Sequence, residues 1–509
     1  MSLNESAKDW EIENFLETKN GQLYIDGVSA MKLAKEYGTP LFVFSEGRIR
    51  HNIERLKRAE SVIDCPLKIC YAAKANANMA ILKAVKDAGG DLEVNSGGEL
   101  WKALKIGFTG ERIIFNGTSK EAWEIEDAIK AGIYAIQVDS LYELSLIADA
   151  ARRLNKAANV SLRLVPEIET KTHSGLQTAL LTSKFGMMPD EALQAFRQYK
   201  DSKFLNLCGV HLHIGSQNPE SEPYTDAFKM LFENLVQVYE ETDLKLSHIN
   251  LGGGFPVNYL RDKSQVGDFP AKQREMFSAD FEPAAAIAAA WNAVKKSART
   301  LNAEHLLENI TLLLEPGRSV IADTGICLTT VRNHKKRPLI NGEWKMVSSE
   351  LKAKNEELEA ESAKVENKNA LLTTYHSPLA VDHWLLTDAG FNILLSMETY
   401  KWYYHLISAE RAGEAHNFPY KLAGPLCDGG DVYFDIERAG RLPDYRLLPK
   451  NVAAGEVLAL LNCGAYSISQ MFQYNGRFLP AVVLINKDGK SELVRQRDVF
   501  EDLIANDIF

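Results

Sequence analysis

The stretch YAAKANANMA, residues 71–80, sets Lys74 among alanines and asparagines at the end of an apolar run that begins near Pro66. A lysine at a strand end can simply reach into water. Held in a crowded pocket, its amine can instead bond covalently to an aldehyde. Further along, GVHLHIGSQ carries His211 and His213 on one strand face by two-residue alternation, with Ser216 in the turn that follows. NLGGGFP puts Gly252, Gly253 and Gly254 directly after another apolar run, and LLLEPGRS sets Glu315 and Arg318 around a Pro-Gly turn. Taken singly, each has a plainer reading: a hydrogen-bonded core histidine, a tight turn, a local ion pair. Their chemistry becomes informative only if one fold brings them to one place.

From about residue 40 to 325, short apolar runs alternate with amphipathic helical stretches. TPLFVFSE reads as a strand, and RIRHNIERLKRAES as a helix with Ile49, Ile53 and Leu56 on one face. PLKICYAAK, GDLEVNS, RIIFNG, YAIQVDS, NVSLRLVP, LCGVHLHIGSQ, LSHINLGGGF and ITLLLEPGRSV continue the strands, with helical patterns between them. Roughly eight such units fit a closed (β/α)8 barrel better than an open doubly wound sheet. After about residue 325 the texture turns to β-like runs such as WLLTDAGF, EVLALLNCGAY and LPAVVLINKDG. The fold class expected is therefore α/β: a (β/α)8 barrel at 41–325 and a mainly β C-terminal domain at 326–509, joined by an N-terminal segment at 1–40 that contains the strand-like NGQLYIDGV. A charged insertion at about 335–385 carries Leu351, Leu358, Val365 and Leu372 at seven-residue spacing, the pattern of a solvated helix packed by one stripe.

Barrel active sites lie at the C-terminal ends of the strands, and the residues singled out above all fall there. Bare glycine N–H groups, a serine hydroxyl and an arginine can hold a phosphate dianion. A histidine can lie against an aromatic ring, a carboxylate can keep a pyridine nitrogen protonated, and a lysine can bond to an aldehyde. The ligand that asks for all of these is pyridoxal 5'-phosphate, an electron sink for chemistry at the amino-acid α-carbon. YAAKANAN, DLEVNSGGEL, SKFGM, HLHIGSQ, NLGGGFP, LEPGRSV, GPLCDGGDVY and CGAYSISQ together resemble, in order, the motif series of the alanine-racemase-fold (fold-type III) pyridoxal-phosphate decarboxylases. The resemblance is nearest to the diaminopimelate decarboxylases, with the ornithine and arginine decarboxylases close by.

The resemblance implies that Lys74 holds the cofactor covalently, that His213 stacks on its ring, and that Glu315 pairs with the pyridine nitrogen. It implies that Ser216, Gly253, Gly254, Arg318 and Tyr466 hold the phosphate. It implies a head-to-tail homodimer with shared active sites, in which Cys427 returns a proton near the α-carbon and Asp428 meets the distal amino group of the substrate. The activity implied is decarboxylation of an amino acid, with meso-diaminopimelate to lysine as the first choice of substrate. A basic amino acid such as ornithine, arginine or lysine is the alternative, and a racemase or a non-catalytic homologue that binds partners stands further off. Two departures bear on substrate. Asp428 stands where the diaminopimelate enzymes usually have Glu, and ILLSMETYKWYYHLIS has neither the arginine nor the proline of their Arg-Pro-x-Leu-Tyr stretch. Lys401 offers a point charge there, not a bidentate guanidinium.

Composition narrows the partners. Lys+Arg 58 against Asp+Glu 68 leaves a net charge of -10, which disfavours nucleic acid and anionic membranes as partners of the whole chain. The opening MSLNESAKDWEIENF has neither a basic region nor an apolar core of a leader, and FEPAAAIAAAWNAV is too short and alanine-rich to span a bilayer. The 6 cysteines show no CxxC pairing, so free thiols in a cytoplasmic enzyme, and no metal site, are expected.

Overall fold

In the computed structural model, residues 8–165, 168, 182–261, 269–338, 381–437 and 439–508 are described. Eight parallel strands close into a barrel in chain order: Leu67–Ala72, Asp91–Val94, Ile113–Phe115, Ala135–Val138, Ala158–Arg163, Leu205–His211, His248–Asn250 and Thr311–Leu314. The last closes on the first through Leu312 opposite Leu67. Helices wrap the outside because each buries one apolar stripe. Glu46–Lys57 buries Ile49, Ile53 and Leu56, the face legible in the sequence, and starts where Ser45 accepts the Arg48 N–H at 2.9 Å. The barrel and the mainly β second unit are as expected.

One strand moves. Leu41–Ser45, read as opening the barrel, instead pairs antiparallel with Gly325–Pro338 and parallel with Ala481–Ile485 in the second sheet. All five of its residues are buried. A continuous apolar run looks the same in a barrel strand and in the centre of a covered sheet, so periodicity could not assign it. That second sheet runs Arg446–Leu448, Phe418–Ala423, Val381–Thr387, Gly325–Pro338, Leu41–Ser45, Ala481–Ile485, Ser491–Arg495, with Val457–Leu460 and Leu406–Ser408 branching from it. The N-terminal strands Leu16–Lys19, Gln22–Ile25 and Val28–Ser29 form a small sheet of their own, whose Leu16, Leu23 and Ile25 share a core with Leu41, Val43, Ile326 and Val483. The expected insertion begins later than 335 and ends before 385: Lys335 pairs with Trp384 and Arg337 with Asp382 in a regular antiparallel ladder. Its leucine and valine stripe lies outside the described residues.

The sheet domain touches the barrel mouth through the segment after Val457–Leu460. Cys463 N–H donates to Gly325 O at 2.8 Å, Gly464 N–H to Ala322 O at 2.9 Å, and Tyr466 N–H to Ala75 O at 2.7 Å. Gly464 must lack a side chain: a Cβ there would stand 1.8 Å from the Ile321 carbonyl oxygen, at the end of the short helix that begins with Arg318. Gly464→Ala is therefore expected to lower the thermal midpoint and cost about 3 kcal/mol, the upper end of ordinary overpacking. Thermal or denaturant melting against the parent chain checks it.

Candidate active site

Lys74 follows directly on the strand Leu67–Ala72, in the short turn Ala73–Ala75. The asparagines around it are structural. Asn76 is buried, receives the Asn78 N–H on Oδ1 at 3.1 Å, and accepts the Tyr71 hydroxyl on its carbonyl at 3.1 Å. Asn78 in turn caps the helix Met79–Asp87 through Ala80 N–H at 3.0 Å. Ala73 and Ala75 are packed away, which leaves Lys74 exposed at the end of its strand, with Glu93, Tyr466 and Glu315 around it. Desolvation there pulls its pKa down. The carboxylate of Glu93, joined by Tyr466 and Glu315, outweighs that and the opposing Arg163, so the ammonium is held above the ordinary lysine value.

Glu315 ends the opposite side of the seam, and Ala72 N–H donates to the Pro316 carbonyl at 3.0 Å to fix the two turns together. Asn250 donates to Glu315 Oε1 at 2.7 Å and Asn116 to Oε2 at 2.9 Å, with His211 Nε2 3.4 Å from the same Oε2. Burial opposes the charge on Glu315. The adjacent His211 ring and the Lys74 ammonium outweigh it, and the carboxyl falls below its ordinary range. Burial also lowers both histidines, so their rings are neutral near pH 7. His213 Nδ1 accepts the Gly253 N–H at 3.0 Å, which leaves the proton of the neutral ring on Nε2.

Beside Glu315 lies a cradle for an anion. Gly253 cannot carry a Cβ, which would meet Glu315 O at 2.2 Å, and Gly254 sits at φ +100°. Asn250 Oδ1 accepts the Gly252 N–H at 2.9 Å and so ties this glycine turn to the Glu315 network. Arg318 donates from Nε to Ser216 Oγ at 3.2 Å and from Nη1 to the Tyr259 hydroxyl at 3.0 Å. Its guanidinium is stacked near Trp402 at 4.2 Å and Tyr466 at 4.9 Å, an environment that fixes a planar cation. Tyr466 itself adopts φ 59°, a left-handed conformation uncommon for an aromatic residue and held by its bond to Ala75. An open amine, a doubly supported carboxylate and an anion cradle thus share one barrel mouth.

Residues 48–322 match the family described as pyridoxal-dependent decarboxylase, pyridoxal binding domain, and residues 320–464 match its C-terminal sheet domain. The chain belongs to the pyridoxal-dependent decarboxylases. It is similar over 97% of its length to the diaminopimelate decarboxylases of Methanocaldococcus jannaschii, at 33% identity, and of Bacillus subtilis, at 30%, covering 96% of each. The crystal structure of the M. jannaschii enzyme superposes with a TM-score of 0.76 at 32% identity, over 97% of this chain and 98% of that one. A second crystal structure of that enzyme, in complex with L-lysine, gives 0.75 at 31%, over 97% and 98%.

The residues present fit the family's cofactor, since the glycine turn that no Cβ could occupy and the Arg318–Ser216 pair suit a phosphate, and Lys74 is an accessible amine. Of the residues expected at the site, Lys74, His213, Ser216, Gly253, Gly254, Glu315, Arg318 and Tyr466 are brought together at the mouth. Cys427 and Asp428 are not among them. They lie on an exposed loop, where Cys427 N–H donates to Asn475 Oδ1 at 2.7 Å and Asp428 accepts the Tyr474 hydroxyl at 3.2 Å. Lys401, the cation offered in place of the missing arginine, is 7% exposed and paired with Glu398 at 2.8 Å. Glu93, Asn116, Asn250, Tyr259 and Trp402 were not picked out in the sequence. For Glu93 a signal existed: an acid inside the apolar run DLEV. Among the described residues no cluster of His, Cys, Asp and Glu could hold a metal ion, and no helix is long and apolar enough to cross a membrane.

Proposed function

We propose that this decarboxylase acts on meso-diaminopimelate and yields L-lysine and CO2, as a cytoplasmic homodimer. The observation that carries the reading is similarity to diaminopimelate decarboxylases along essentially the whole chain, with the barrel-mouth constellation intact. Bound at this mouth, pyridoxal phosphate supplies the electron sink that takes up the electron pair left when the carboxylate departs.

The chain's own residues divide the remaining work. Lys74 is the covalent anchor, and its amine must shed a proton before it can bond. Glu315, ionised and with both oxygens engaged, favours a protonated pyridine nitrogen. Neutral His213, locked by Gly253, offers a flat face rather than a charge. Gly253, Gly254, Ser216, Arg318 and Tyr466 hold the phosphate. Cys427 and Asp428, exposed on their own chain, serve the mouth of a second copy: the thiol returns the proton to the α-carbon and the carboxylate meets the substrate's distal ammonium. The chain is accordingly read as a barrel unit and a sheet unit, with Leu41–Ser45 assigned to the latter.

One observation favours a second reading, a basic amino acid with a single carboxylate. Lys401 is committed to Glu398, so the stretch ILLSMETYKWYYHLIS offers no free cation for a second substrate carboxylate. The test is CO2 release from meso-diaminopimelate, ornithine, arginine and lysine with pyridoxal phosphate present. Turnover of diaminopimelate above the others is the expected result. Turnover of a mono-carboxylate with diaminopimelate inert would overturn it in favour of the second reading, because a site built to pair a charge discriminates sharply against ligands that lack it.

A further inference from the structure

Glu93 lies on the strand Asp91–Val94, opposite Ala72 and two residues short of Lys74 in register. It is 0% exposed, and a fully buried carboxylate needs a reason to be there. One amide links it to the rest of the site: Asn116 Nδ2 donates to Glu93 Oε1 at 2.8 Å and to Glu315 Oε2 at 2.9 Å, spending both its hydrogens. The four oxygens of these two carboxylates are not equivalent. Both oxygens of Glu315 accept amide donors, whereas Glu93 Oε2 has no hydrogen-bond partner among the described residues.

We propose that Glu93 is a positioning residue for Lys74, the buried counter-charge that holds its ammonium at the mouth until the amine is needed for bonding. The assignment rests on the reading of Lys74 as the covalent anchor, which requires a free amine at the moment of bonding and an ammonium otherwise.

The charged and titratable groups around Glu93 support the pairing. Lys74 faces it from the turn after Leu67–Ala72, Glu315 from the turn after Thr311–Leu314, Glu99 from the helix Gly97–Ile106, Arg163 from the end of Ala158–Arg163, and Cys70 from the neighbouring strand. Glu99 is committed elsewhere, accepting the Asn95 N–H at 2.8 Å at the start of its helix. Burial drives Glu93 up to about 7, against the pull of Lys74, and Glu315 adds to the rise. Glu93 therefore gives up its negative charge as the pH falls through a range where Glu315 keeps its own.

The test reads Lys74 directly, on full-length chain stripped of cofactor: trace acetylation with acetic anhydride across pH, with label at Lys74 located by mass spectrometry and normalised to the other lysines. In Glu93→Gln the attraction is gone and the free-amine fraction rises, so above pH 8 labelling should increase about tenfold, the one pKa unit that a neighbouring opposite charge commonly supplies. The gap should close as the pH falls through about 7, where parental Glu93 itself takes up a proton. Glu93→Asp should restore most of the parental profile. Equal labelling of parent and Glu93→Gln at all pH values, or a gap independent of pH, overturns the proposal. Failure of the Lys74 reading is a separate result, seen as an unchanged cofactor spectrum in Lys74→Ala while the labelling profile still responds to Glu93.

Discussion

Lys74→Ala is expected to lower CO2 release by about 10,000-fold or more, the upper end of what one positioned proton-transferring group contributes, since here a covalent attachment is lost as well. The expectation rests on how the neighbouring lysines among the described residues are held. Lys120 is buried in the barrel, but its Nζ is bound to Gly117 O at 2.7 Å, Gln137 O at 2.9 Å and the Glu143 carboxylate. Lys102 reaches the Ala77 carbonyl at 3.4 Å, and Lys401 is held by Glu398. The variant should still fold. Lys74 is exposed rather than packed in the core, and Glu93 can take up a proton instead of remaining an uncompensated buried charge. Absorbance after addition of pyridoxal phosphate gives the second readout: the band of lysine-bound cofactor should be missing. Persistence of that band would assign the covalent anchor to another lysine.

The sequence carried the barrel because its units are local. A strand, a glycine or asparagine turn and an amphipathic helix each leave a signature within some thirty residues, and the site's most unusual residues sit at the ends of those strands. What stayed hidden depends on distance along the chain. Arg318 and Ser216 are 102 positions apart, and Asn116 and Glu315 are 199 apart. An asparagine at a strand end, such as Asn116 in RIIFNG or Asn250 in LSHINLGGG, reads as a turn residue until the barrel closes and aims it inward. Trp402 and Tyr259 read as core aromatics, and they are core aromatics; that their faces also hold a guanidinium follows only from where Arg318 lands. Leu41–Ser45 was misplaced for a related reason, because a strand buried on both faces records that it is buried but not by what.

Glu315→Gln is the sharper test of how the site works, because it changes charge with little change in shape. The parent carboxylate accepts Asn250 on one oxygen and Asn116 on the other, so a glutamine amide must turn its NH2 toward one of those donors. Asn250 cannot reverse, since its Oδ1 is committed to the Gly252 N–H. Asn116 can, because its Oδ1 has no hydrogen-bond partner among the described residues; by reversing it would accept from the new amide and give up its bond to Glu93 Oε1, which Glu93 can offset by taking up a proton. The fold and the anion cradle should therefore survive, and so should cofactor binding, which leaves the lost negative charge and the rearranged Asn116–Glu93 bond as the main differences. Turnover should fall by roughly 100- to 1,000-fold with KM little changed, the scale on which a preorganised charge acts in a water-excluded site. Steady-state kinetics with cofactor saturation checked by absorbance separates the cases. A fall confined to kcat means the charge of Glu315 acts on the reacting system, whereas a rise in KM or loss of cofactor at unchanged kcat would mean that Glu315 serves only to hold the glycine turn in place.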